Sequence, residues 1–348
     1  MSKKRIALLL LLIFIASIAL TACGNKPQEP AKPNEPAAPA QKLQLTIITG
    51  STGGTYFALG GAMANTFTEQ LTNAAVTSQP GGASVESINR VNAGEVDLGM
   101  AMNNIADDAW NGKGSFKEKQ QNFRTIGVIY PEVYQGVALK SAGITSLEQI
   151  KGAKVAVGPV GSGTAVLSEA VFAEAGIDIN KDIKGEFAAF GDAANKMKDL
   201  QLDANFGVLA CPAAAIQDIM TSREIEIIEI KGALFDKIKA KYPFFSQYTI
   251  PAGTYGNTEP KLTINCMAAL YVTPDVPEDV VYEITKAWYE KTADVAIAHS
   301  AAQWLADELK AGKLETAIAG ITTPLHKGAY KYFVEKGLSV PDSIKPID

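Results

Sequence analysis

The sequence predicts an α/β protein of two similar lobes with a ligand cleft between them, and three observations carry the prediction. A strand, glycine turn and helix are written twice along the chain, and each copy is followed by the same sequel of a helix and a strand. Apolar strands lie between and after the copies, where the chain would cross from lobe to lobe. At 348 residues, 47% apolar and 20% charged, the chain exceeds one ordinary core and suits two units of roughly 100–200 residues each.

The first copy opens with the strand Leu43 to Ile48. It breaks at Thr49-Gly50-Ser51-Thr52-Gly53-Gly54-Thr55 and continues as the apolar-periodic helix Tyr56 to Phe67. The second has the strand Lys154 to Val157, the turn Gly158-Pro159-Val160-Gly161-Ser162-Gly163-Thr164, and a helix from Ala165 to Ala175 stopped by Gly176. In the first sequel Gly82-Ala83-Ser84 caps a helix with Val85, Ile88 and Val91 on one face, and a strand Gly99 to Met102 runs into Asn103. In the second, Gly191-Asp192 caps a helix presenting Ala194, Met197 and Leu200, and the strand Asn205 to Leu209 follows.

Ile126 to Tyr130 and Tyr134 to Leu139 read as strands suited to crossing, and Ile264 to Val272 as the strand that returns. Helices over Pro277 to His299 and Ala301 to Leu309 would then close the first lobe. The expected division is residues 43–135 with 256–348 for lobe 1 and 136–255 for lobe 2. Two crossings around a cleft make a periplasmic-binding-protein arrangement. One long doubly wound sheet is the alternative on pattern alone.

The N-terminus reads as an address. Lys3, Lys4 and Arg5 precede an apolar stretch from Ile6 to Leu20 whose only polar residue is Ser17. That is shorter than the ~20 residues of a membrane span, and suits a signal-peptide core. Leu20-Thr21-Ala22-Cys23 resembles the lipobox of bacterial lipoproteins, which implies a signal peptide over residues 1–22, cleavage before Cys23 and lipidation of its thiol. Residues 23–42 then hold the anchor and a spacer with prolines at 27, 30, 33, 36 and 39, a composition that favours extended polyproline II. The folded part is therefore expected outside the cytoplasm, tethered to the cell membrane. Cys211 and Cys266 remain; they are read as buried free thiols, with a disulfide as the open alternative.

A formal charge of −5 gives no basic face for nucleic acid. Arg5, Arg90, Arg124 and Arg223 are the only arginines, so there is little material for bidentate anion clamps. Helix N-termini supply another means. Their unpaired N–H groups and roughly half a positive charge hold a carboxylate without a cationic side chain. Both glycine turns fall at the carboxyl ends of strands, where open α/β sheets bind ligands. The predicted grips are Thr52, Gly53, Gly54 and Thr55, then Gly161, Ser162, Gly163 and Thr164, with Gly82 and Ser84 at a third helix end and Asn103 after its strand. Tyr56, Tyr130, Phe206 and Trp110 are candidate cleft walls, each with core packing as the competing reading. A dicarboxylate or an amino acid such as glutamate is the expected ligand.

Catalysis finds no support. GxxxxGK[ST], GxGxxG and GxSxG are missing, as is any Cys/His metal spacing, so no cofactor is expected. His299 and His326 read as surface or helix-end residues, and Asp97 and Asp107-Asp108 as a turn and a solvated helix.

Taken in order, several segments resemble the TAXI family, the extracytoplasmic solute receptors of one branch of TRAP transporters. They are Thr52-Gly53-Gly54-Thr55-Tyr56, Gly82-Ala83-Ser84-Val85-Glu86, Gly94-Glu95-Val96-Asp97-Leu98, Tyr130-Pro131-Glu132, Val155 to Thr164, Lys241-Tyr242-Pro243-Phe244-Phe245, Ile250 to Tyr255, Pro324-Leu325-His326 and Gly328-Ala329. The resemblance covers residues 43 to 337 and departs from the family pattern at Gln135, where many relatives carry histidine, and at Ala210, usually glycine. It implies a type II periplasmic-binding fold that closes on a small organic acid (glutamate, glutamine, 2-oxoglutarate or a related dicarboxylate) and delivers it to TRAP membrane permease subunits. A receptor of the same fold serving an ABC permease or a sensor kinase, or an extracytoplasmic enzyme, are the alternatives.

Overall fold

A computed structural model describes residues 42–347; the leader, Cys23 and the Pro/Ala-rich spacer lie outside the described residues. The chain begins with β1 (Leu43–Ile48), α1 (Thr55–Gln70), β2 (Ala74–Gln79), α2 (Ser84–Asn92), β3 (Leu98–Met102), α3 (Asn103–Asn111) and β4 (Arg124–Leu139). It continues through β5 (Lys154–Ala156), α4 (Gly163–Glu174), β6 (Lys184–Glu186), α5 (Phe190–Lys198), β7 (Ala204–Leu209), α6 (Ala214–Met220), β8 (Ile225–Ile228), α7 (Gly232–Lys241) and β9 (Ser246–Ile250). β10 (Lys261–Val272) then leads to α8 (Glu278–Ala298), α9 (Gln303–Lys310) and α10 (Lys327–Glu335).

The two copies of the pattern occupy opposite ends of a single hydrogen-bonded sheet, ordered β2-β1-β3-β10-β4-β7-β5-β6, with β8 beside β4 and β9 beside β10. Within each copy the pairing is parallel: β1 with β2 and β3, β5 with β6 and β7. The antiparallel members are β4 and β10, which join the ends. β10 gives Ala268–Val272 to β3 and Lys261–Asn265 to β9. β4 pairs with β10 over Arg124–Val133 and with β7 over Val133–Ala138. Two expected crossing strands are thus one strand of 16 residues that runs through Pro131. Register shifts beside Ala268 and Leu270 put extra residues into β4, and such bulges bend a strand.

Burial explains why β4 holds the halves together. All its residues except Pro131 are buried, and α8 lays Trp288 and Tyr289 against it. Both aromatic donors, Trp288 Nε1 at 3.2 Å and Tyr289 Oη at 2.9 Å, meet the Val128 carbonyl, which satisfies two polar groups that burial would otherwise strand. On the other half, Phe190, Ala194 and Met197 of α5 pack with Val133 and Val137 of β4 and with Ile216 and Ile219 of α6.

Two details correct the sequence reading. α5 begins at Phe190 with Ala189 as its N-cap, two residues before the predicted Gly191-Asp192 cap, because the Phe190 ring is buried in this second core. Leu200, expected on that helix's apolar face, lies beyond its end in a left-handed conformation and is 53% exposed. Cys211 and Cys266 are free thiols, the first half-buried and the second buried.

Candidate functional site

Parallel β-α units start their helices at the carboxyl ends of strands, so the two halves of the sheet aim helix N-termini at the space between them. That space is a narrow cavity of about 20 Å³, far below the ~300–1,000 Å³ of open small-molecule sites. Gly54, Thr55 and Tyr56 open α1 at its wall, Ala83 and Ser84 open α2, Gly163 and Thr164 open α4, and Phe190 opens α5. Met102, Val208 and Leu209 supply apolar surface. No side chain caps α1 or α2.

From β4 come Tyr130 and Glu132. Glu132 is 3% exposed. Tyr56 Oη donates to its Oε2 at 2.7 Å and Tyr130 Oη to its Oε1 at 3.2 Å, while the two rings meet edge to face with centroids 6.1 Å apart. Among the described residues no Lys, Arg or His lines the cavity, so the carboxyl has no cation to offset its burial. Burial pushes it up to about 8, against the pull of the two phenol hydrogen bonds. Burial and the neighbouring carboxyl likewise hold both phenols well above their usual range.

The residues singled out from sequence fall into three groups. Gly54, Thr55, Tyr56, Ser84, Tyr130, Gly163 and Thr164 line the cavity. Three of their hydroxyls also hold the fold: Thr55 Oγ1 accepts from Ala210 N at 3.0 Å, Thr164 Oγ1 from Val208 N at 3.0 Å, and Ser84 Oγ from Met102 N at 3.1 Å. Thr52, Gly53 and Gly161 lie at the rim and join the halves through backbone. The Thr52 carbonyl accepts from Gly191 N at 3.1 Å, and the Gly161 carbonyl accepts from Val85 N at 3.1 Å and Glu86 N at 3.2 Å. The walls are therefore drawn together in this structure.

Gly82, Asn103, Ser162, Phe206 and Trp110 do not line the cavity. Gly82 N donates to Glu86 Oε2 at 2.7 Å. Asn103 Nδ2 donates to the Gly320 carbonyl at 2.8 Å. Ser162 is the N-cap of α4, accepting from Ala165 N at 3.1 Å and donating to the Pro159 carbonyl at 2.7 Å. Phe206 is a core ring, stacked on Tyr134 at 5.7 Å and edge-on to Phe172 at 5.0 Å. Trp110 packs on Phe123 at 5.5 Å, under the Arg124 guanidinium.

Glu132, Phe190, Val208 and Leu209 were not reached by spacing or turn chemistry. For Glu132 a signal exists: it is the only charged residue between Arg124 and Lys140, in an otherwise apolar and aromatic run. The unusual Gln135 does not line the cavity and donates to the carbonyls of Leu209 and Ala210 at 3.2 and 3.1 Å. Both histidines are N-caps, His299 Nδ1 accepting from Ala301 N at the start of a 3₁₀ turn and His326 Nδ1 from Gly328 N at the start of α10. Asp97 anchors a turn by accepting from Thr46 N at 2.7 Å. Among the described residues no group of three or more His, Cys, Asp or Glu is placed to hold a metal ion, and no helix is long and apolar enough to cross a membrane.

The model of the NMT1-like family matches residues 47–337. Among solved structures, MatC from Rhodopseudomonas palustris with bound malate superposes with a TM-score of 0.51 at 12% identity, over 79% of this chain and 99% of that one. The alkanesulfonate-binding protein SsuA from Xanthomonas axonopodis pv. citri bound to MOPS gives 0.45 at 13% identity, over 88% and 96%. A putative L-cystine ABC transporter protein from Listeria monocytogenes gives 0.46 at 15% identity, over 79% and 98%. The fold is the two-lobed α/β fold of type II periplasmic binding proteins.

Proposed function

The chain belongs to the NMT1-like family, and from that premise we propose that it is an extracytoplasmic solute-binding receptor that captures a small organic acid and hands it to a membrane permease. One observation carries the reading: four helix starts, two from each half of the sheet, converge on one narrow cavity that, among the described residues, no basic side chain lines. Backbone N–H groups are then the positive surface offered to a carboxylate. The malate-bound fold relative supports a small carboxylate as ligand.

The lobes are residues 43–135 with 256–348, and 136–255, hinged where β4 and β10 pass between them. Ligand binding draws them together, the free energy coming from contacts that exist only in the closed state. Glutamate, glutamine, 2-oxoglutarate and similar dicarboxylates are the ligands to test. The ordered segments that resemble the TAXI family support a TRAP-type permease as partner, and Leu20-Thr21-Ala22-Cys23 supports a lipid anchor at Cys23. The protein binds and releases its ligand unchanged; it is not an enzyme.

The test is calorimetric titration of protein unfolded and refolded to strip carried-over ligand. Saturable binding of one of these acids, with a negative heat-capacity change, is expected. A folded protein that binds none of them ends the organic-acid reading.

A further inference from the structure

We infer that Glu132 is the acceptor for an ammonium group on the ligand, so that the receptor takes α-amino acids in preference to oxo or hydroxy acids of the same length. The inference rests on the receptor reading and narrows its ligand class.

The geometry makes Glu132 an acceptor. Each of its oxygens receives one phenol hydrogen bond, from Tyr56 and from Tyr130, which leaves lone pairs on both for a third group. An ammonium carries three donors and the charge that this buried carboxyl lacks. The helix starts around the same cavity supply the opposite end, a surface for carboxylate. A cavity lined by both a buried carboxyl and several helix N-termini complements a zwitterion. An oxo acid would instead place more negative charge, or an unpaired carbonyl, beside Glu132.

The groups facing Glu132 add no competing charge. They are the Tyr56 and Tyr130 hydroxyls, with the Cys266 thiol and Tyr271 hydroxyl behind, all held neutral by burial. With the walls drawn together and no ammonium beside it, Glu132 is largely protonated near neutral pH, since burial sets it at about 8. Pairing with an ammonium needs the carboxylate, so capture of an amino acid expels a proton to buffer. Capture of an acid without an ammonium leaves that proton in place or takes one up.

The experiment is titration of the full chain at pH 7.5 with L-glutamate, L-glutamine, 2-oxoglutarate and malate, each in two buffers of different ionisation enthalpy. The expected result is that an amino acid binds roughly tenfold or more tightly than its oxo analogue and releases a fraction of a proton. Glu132→Gln should remove both the preference and the proton release. If the variant does not fold, the proton inventory of the wild type decides alone. Tighter binding of 2-oxoglutarate or malate, or proton uptake on binding, overturns the inference and leaves the receptor standing. Binding of none of the four by folded protein overturns both.

Discussion

Gly53 and Gly191 meet face to face at the rim of the cavity. A Cβ built on Gly53 would lie 2.5 Å from the Gly191 amide nitrogen and 2.8 Å from its Cα, and Gly53 has φ +80°. The Gly191 amide donates to the neighbouring Thr52 carbonyl at 3.1 Å. The glycines of the first turn therefore do two things. Gly54 brings helix α1 to the cavity, and Gly53 lets the two halves of the sheet approach closely enough for a backbone hydrogen bond between them.

Gly53→Ala should separate closure from folding. The left-handed backbone costs an alanine about 1 kcal/mol wherever the halves stand. The clash with Gly191 exists only when they meet, so it penalises the closed state alone. Ligand affinity should fall roughly tenfold or more, the factor that about 1.4 kcal/mol represents, while the ligand-free protein loses only the backbone cost of about 1 kcal/mol. Small-angle scattering with saturating ligand checks the mechanism: the variant should stay more extended than the wild type. A variant as compact and as tight-binding as the wild type would refute it.

Glu132→Gln should stabilise the empty protein at alkaline pH even as it damages binding. The carboxyl is held at about 8 in the fold and ionises near 4.3 in an unfolded chain. The folded state thus holds the proton more firmly, and stability declines as pH rises between those values, by up to about 1.4 kcal/mol per unit. Glutamine has no proton to lose. Thermal melts without ligand should show the variant gaining on the wild type from pH 5 to pH 8.5, by a margin that grows with pH. His326, held below its usual value by burial, gives a slope of opposite sign: its stability is present above about 6.5 and lost as pH falls. The comparison is accordingly variant against wild type at each pH.

Ser162→Ala and Phe206→Ala should act on the fold and leave the ligand contacts intact. Loss of the α4 N-cap costs about 1 kcal/mol, and truncating a core ring costs about 3–5 kcal/mol. Denaturant titration measures both. Ligand affinity of folded Ser162→Ala should stay within about threefold of wild type, well under one tenfold step of about 1.4 kcal/mol. A larger loss would return Ser162 to the site.

What the sequence by itself determined is the local grammar. Strand, glycine turn and helix were legible twice because period, caps and φ-permissive residues act over a few neighbours. The starts of α1, α2 and α4 follow, and with them six of the residues that line the cavity. The division of labour among hydroxyls was not legible. Ser84, Thr55, Thr164 and Ser162 are alike in sequence, and differ only in which backbone amide, near or remote in the chain, packing brings to each. The continuity of β4 through Pro131 was hidden for a related reason. Proline reads locally as a break, yet the strand persists because β10 and β7 pair with it on either side of the bend. Glu132 stood out in charge, but its meaning depends on two tyrosines, one of them 76 residues away, and on the exclusion of every cation from the cavity. Burial sets the chemistry of a carboxyl, and burial is a property of the tertiary structure alone.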